Sequence, residues 1–181
     1  MITHTPTGVP LLGVTGFKNT GKTTLVARLV AQLTADGYRV STIKHAHHTA
    51  EVDQPGTDSM SHRKAGAAQV LLVTPKRLAL MEEFHSTEPP FEEIIGLLGP
   101  ADLVVVEGYK SLPIRKLLLT DDRMPAPVDP ASVIAQISAV TDNLSDPLPC
   151  FHRDDIAAIA RFVIDTCQLA APAQGEQQHG T

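Results

Sequence analysis

A chain of 181 residues, 43% hydrophobic and 19% charged, has the size and composition of one soluble domain with a real core. Its net charge of −5 argues against nucleic acid held on a broad basic face. It leaves a local anion pocket among Lys18, Lys22, Lys44, Lys110 and Lys116.

The first nine residues read as a frayed lead-in. An almost wholly apolar run from Pro10 to Thr15 then predicts a central strand of a parallel sheet, buried on both faces. It stops at Gly16-Phe17-Lys18-Asn19-Thr20-Gly21-Lys22-Thr23, which matches the phosphate-loop pattern G-x-x-x-x-G-K-[ST] at every fixed position. A helical pattern starts at Lys22, so the motif has the strand–loop–helix setting it needs. Gly16 and Gly21 allow the backbone to approach an anion closely. The N–H groups at the helix N-terminus then wrap a phosphate. Lys22 reaches the β/γ-phosphates and the Thr23 hydroxyl ligates Mg²⁺.

Leu25, Leu29 and Leu33 stripe this helix, which ends at Asp36-Gly37. Tyr38 to Lys44 is the second strand, completing a βαβ unit. Lys44-His45-Ala46-His47-His48 follows, and the histidines either hold a metal or line the site's edge. Residues 49–58 are an aperiodic loop, and Thr57 or Asp58 caps a helix ending at Gly66. Asp58 is thus either an N-cap or a catalytic carboxylate. Residues 69–74 and 77–81 predict a hairpin around Pro75-Lys76, one strand lying antiparallel on the main sheet. Phe91 to Leu98 is a short helix.

Asp102-Leu103-Val104-Val105-Val106-Glu107-Gly108 is a buried strand with a carboxylate at each end. Phosphate sites lie beyond the carboxyl ends of such strands, so Glu107 is the metal-side or water-positioning acid and Asp102 a strand-start residue. Ile114 to Leu119 is another strand, with Arg115 and Lys116 at the site's edge or in solvent. Ser132 to Val140 is the last strand, and Asp142 after it either reads guanine N1 and N2 or starts a turn. Residues from about 153 to Gln168 form the final amphipathic helix, with Ile156, Ile159, Ala160, Val163 and Ile164 inward. A domain over 1–169 is expected to be followed by a disordered tail over 170–181. Cys150 and Cys167 make neither metal-site spacing nor a disulfide framework. The N-terminus has no signal-peptide pattern, and no apolar run is long enough for a membrane span, so the cytoplasm is the expected location. The fold class is α/β: a P-loop NTPase, three layers around a mostly parallel sheet, plus a β-hairpin.

The chain resembles the molybdopterin-guanine dinucleotide biosynthesis adaptor family, MobB. The resemblance rests on GFKNTGKTTL at 16–25, IKHAHH at 43–48 and VDQPGTDSMSHRKAGA at 52–67. It continues through LVTPKRLALMEE at 72–83 and DLVVVEGYKSLPIRK at 102–116. It implies a homodimeric GTP-binding protein with weak Mg²⁺-dependent GTPase activity. Its partner would be the molybdopterin guanylyltransferase that joins GMP to molybdopterin, with other cofactor-biosynthesis proteins and molybdopterin itself as further candidates. Gly16, Lys18, Asn19, Thr20, Gly21, Lys22, Thr23 and Thr24 would then hold the phosphates, and Asp142 the guanine. Thr23, Glu107 and Asp53 would serve the metal, Lys22, Glu107 and Asp58 the chemistry, with Ser59 and Arg63 lining the site. Related dimeric ATPases carry a signature lysine where this chain has Gly16. No arginine finger stands out, with Arg63 and Arg115 the candidates, which suits slow hydrolysis. A small-molecule kinase is a second reading, although 75–100 offers only Lys76 and Arg77 for a lid. A metal-delivery GTPase using His45, His47 and His48 is a third.

Overall fold

The computed structural model describes residues 1–46, 51–84, 87–120, 128–140 and 148–172. The chain divides into two compact units, one made of residues 1–45 and 95–181 and the other of residues 46–94.

The first unit is built on a parallel sheet. Its strands are β1 (Leu11–Gly16), β2 (Val40–Lys44), β5 (Leu103–Glu107), β6 (Lys116–Leu119), β7 (Val133–Ser138) and β8 (Cys150–His152), in the order β2-β5-β1-β6-β7-β8. Every neighbouring pair in it is parallel. Every residue of β1, β5 and β6 is buried, which explains the apolar stretches at 11–14, 103–106 and 117–119 within them. Alternate side chains sort to opposite faces. Leu12, Val14, Leu103, Val105, Leu117, Leu119, Ala135 and Ile137 share one core with Leu25, Leu29 and Leu33 of helix α1 (Lys22–Ala35). Ile159, Ala160, Val163 and Cys167 of helix α4 (Ile156–Cys167) complete it. The chain leaves β1 towards β2 on one side and passes from β5 to β6 on the other, so β1 and β5 mark the topological switch where α/β folds place ligands.

The second unit contains helix α2 (Asp58–Lys64) and an antiparallel ribbon of β3 (Gln69–Thr74) and β4 (Arg77–Glu82). The hairpin is as expected, but it is its own two-stranded sheet and adds no antiparallel strand to the main one. Helix α3 (Phe91–Gly96) links the two units in sequence. Among the described residues, no helix is long and apolar enough to cross a membrane.

Two further expectations are corrected. The strand after residue 132 is not the last, because β8 adds an edge of three residues too short to leave a periodic signal. Lys116 lies neither in solvent nor at the site: it is 1% exposed, and its ammonium donates to the Leu112 and Ile114 carbonyls and to Ser132 Oγ. Arg115 donates to the Thr166 carbonyl at 2.7 Å. Of the tail, residues 173–181 lie outside the described residues.

Candidate functional site

The phosphate loop leaves β1 at Gly16, whose φ is +152°. A Cβ there would sit 2.7 Å from the Leu119 carbonyl oxygen, so the close packing of β1 against β6 requires glycine. Asn19 and Gly21 take left-handed conformations, with φ of 65° and 92°, and Gly21 is the N-cap of α1. Among the described residues no side chain caps that end, an arrangement that suits an anion. Thr20 is buried and its hydroxyl donates to the Phe17 carbonyl at 2.9 Å. The Lys22 ammonium donates to the same carbonyl, spanning the loop. Lys18 and Thr24 are exposed.

Glu107 ends β5 and pairs in register with Val14 of β1 and Lys44 of β2. Its side chain is 11% exposed. The Thr23 hydroxyl donates to Glu107 Oε1 at 2.7 Å, so the two residues that sequence spacing assigned to the metal are in contact. Lys44 Nζ lies 3.6 Å from the same Oε1 and 3.3 Å from Thr23 Oγ1. Burial holds the Lys22 ammonium below the usual lysine range, and the positive charges of Lys110 and Lys44 push the same way against Glu107. Such a cluster of cations favours a polyanion. Beyond Glu107, the chain turns through Gly108 and a left-handed Tyr109 (φ 45°), whose ring stacks on that of His45 with centroids 4.1 Å apart. Lys110 Nζ then lies 6.0 Å from the Phe17 ring centroid.

The second unit gathers a different set. Thr57, not Asp58, caps α2, accepting from the Met60 N–H; Asp58 is the exposed first helical residue. Asp53 Oδ1 accepts from the Gln54 N–H and from the Thr57 and Ser59 hydroxyls at 2.9–3.0 Å. Burial works to raise the Asp53 pKa, but these hydrogen bonds and the nearby Arg63 hold it below the usual carboxylate range. The Arg63 guanidinium binds Glu51 at 2.7 Å and Glu83 at 2.6 Å, and these carboxylates keep it firmly protonated. The pairing of Glu51 and Glu83 with Arg63 is not legible in the sequence, because only the fold shows which acids face that residue. His47, His48 and Asp142 lie outside the described residues.

Residues 11–142 match the family model described as molybdopterin guanine dinucleotide synthesis protein B. A molybdopterin-guanine dinucleotide biosynthesis adapter protein of Haemophilus influenzae is 42% identical over 126 residues, covering 66% of this chain and 68% of the relative. One of the same name from Escherichia coli is 39% identical over 174 residues, covering 90% of this chain and 95% of its own. The crystal structure of Bacillus subtilis MobB superposes with a TM-score of 0.72 at 26% identity, covering 89% of this chain and 98% of that one. The motifs from the phosphate loop to Glu107, the α/β fold and these relatives agree: the chain belongs to the molybdopterin guanine dinucleotide synthesis protein B family, MobB.

Proposed function

We propose that this protein is a GTP-binding adaptor with weak Mg²⁺-dependent GTPase activity that assists attachment of GMP to molybdopterin. The observation that carries the nucleotide half is the meeting of Lys22, Thr23 and Glu107 where the phosphate loop opens into α1. The adaptor half is supported by the names of its relatives.

The donor set suits Mg²⁺. Thr23 Oγ1 and Glu107 Oε1 are hard oxygens 2.7 Å apart. Neighbouring ligands of an octahedral Mg²⁺ with 2.0–2.1 Å bonds are about 3 Å apart. When bound, the ion would neutralise charge on the β- and γ-phosphates. The loop N–H groups would orient the phosphates, Lys22 would draw charge from the β/γ bridge, and Glu107 would hold Thr23 or a water in place. Slow turnover is supported by the employment of both candidate fingers: Arg63 by Glu51 and Glu83, Arg115 by the Thr166 carbonyl. Such a finger is worth roughly 10³–10⁵ in rate elsewhere. A homodimer is supported by the apolar hairpin side chains Leu71, Leu72, Val73, Leu78 and Leu80, each more than 40% exposed. Asp53 and Asp58 remain proposed metal-side and catalytic carboxylates, and Asp142 the proposed guanine reader.

Titration with fluorescent GTP and ATP analogues, with and without Mg²⁺, tests this reading. GTP should bind at least about tenfold tighter than ATP, or about 1.4 kcal/mol. Equal affinity, or phosphoryl transfer to a small acceptor, would overturn it in favour of a kinase. Co-purification with the guanylyltransferase tests the adaptor half.

A further inference from the structure

Lys44 closes β2, and the β2–β5 register sets it beside Glu107. Register partners of a parallel pair project to the same face, so the two side chains leave one end of the sheet together. The ammonium donates to Thr23 Oγ1 at 3.3 Å and stands 3.6 Å from Glu107 Oε1, while the Thr23 hydroxyl donates to that Oε1 at 2.7 Å. Cation, hydroxyl and carboxylate form a closed triangle. We propose that Lys44 is a built-in competitor for the divalent site: its ammonium and Mg²⁺ claim the same two oxygens, so metal binding displaces Lys44 towards the nucleotide phosphates. This rests on the proposed assignment of Thr23 and Glu107 to the metal.

The chemistry of each group supports the exchange. The Thr23 hydroxyl has one proton, committed to Glu107, so a metal must use the oxygen lone pairs that the ammonium faces. A divalent ion held by these oxygens would bring a like charge close to the Lys44 ammonium, where the two repel strongly even in a partly wet site. Of the two partners only Lys44 can easily leave, because its side chain is 60% exposed and that of Glu107 is 11% exposed. It also has a destination. Lys110 and Lys44 both bring positive charge to bear on Lys22, with Glu107 opposing them, an excess of positive charge that a triphosphate would neutralise. Moving Lys44 from Glu107 to phosphate frees the metal's oxygens and gives the ammonium a more highly charged partner. Metal and nucleotide should therefore bind cooperatively, each favouring the displaced lysine. The bland alternative is a rim ion pair of little consequence.

The test uses Mn²⁺ as a paramagnetic probe, with bound ion measured by EPR on the full chain stripped of nucleotide. Lys44→Gln, which keeps a polar side chain but removes the charge, should tighten Mn²⁺ binding by roughly tenfold, the scale set by losing one like charge at close range. Lys44→Arg, which keeps a cation, should leave binding as weak as in the wild type. Glu107→Gln should weaken it further. If Glu107→Gln weakens Mn²⁺ binding but Lys44→Gln leaves it unchanged, Lys44 is only a rim ion pair and the inference fails while the metal assignment stands. If neither substitution alters Mn²⁺ binding, the metal assignment fails and the inference with it. Circular dichroism of each variant checks that the fold is retained.

Discussion

Lys116 gives a quantitative test of how this fold treats a buried charge. Its ammonium is enclosed with the Leu112 and Ile114 carbonyls and Ser132 Oγ as acceptors, and the negative charge of Asp129 acts on it without contact among these bonds. Lys116→Met keeps the side-chain length and removes the charge. Three hydrogen bonds from a charged donor are worth about 1.5–3 kcal/mol each. Against this stands a burial penalty of several kcal/mol for an ion without a contacting counter-ion. The three ammonium protons match three acceptors, and Met would leave those acceptors dry, so the hydrogen bonds should win narrowly. A loss of about 2 kcal/mol is expected, read from urea unfolding by circular dichroism, since the chain has no tryptophan. A pH dependence sharpens the test. Burial lowers the Lys116 pKa in the folded state, so between that value and the ordinary 10.5 the unfolded chain binds more protons than the native one. Wild-type stability from this group therefore rises with pH across that window, and the gap to Lys116→Met should widen as pH approaches 10.5. A variant as stable as the wild type would show that the burial cost cancels the hydrogen bonds, and a gap that narrows with alkali would show that the folded state raises the Lys116 pKa instead of lowering it; either result refutes the reasoning.

Two further outcomes are expected. Gly16→Ala would place a methyl carbon 2.7 Å from the Leu119 carbonyl oxygen, whereas Gly21→Ala meets nothing within 4 Å and suffers only from its φ of +92°. The first should cost about 3 kcal/mol or more and the second about 1, so thermal unfolding that ranks them the other way would place the loop wrongly. Burial raises the Cys167 thiol to about 11, so iodoacetamide at pH 8 should label half-buried Cys150 first and Cys167 only on unfolding. Equal labelling rates, followed by mass spectrometry, would contradict the inward face of α4.

The parts of this molecule that could be read from its sequence are those whose physics is local. Gly16, Gly21, Lys22 and Thr23 announce the loop because backbone conformation, helix dipole and side-chain reach all act within eight residues. The buried runs at 11–14 and 103–106 announce central strands because a parallel sheet covers both faces. Glu107 stands out by its place at a strand's carboxyl end, and the fold brings it into contact with Thr23, 84 residues earlier in sequence. What stayed hidden depends on pairing between distant segments. Whether Lys44 faces water or Glu107 is decided by the β2–β5 register, and a one-residue slip would turn it to the other face. Whether Lys116 is a surface cation or a core staple is decided by the loop carbonyls folding back over it and by Ser132 on a later turn. Both lysines look alike in the sequence, each on a short predicted strand. One should yield its oxygens to a metal and the other should hold its own, and the difference is that Lys44 reaches its partners from solvent while Lys116 is walled in with them.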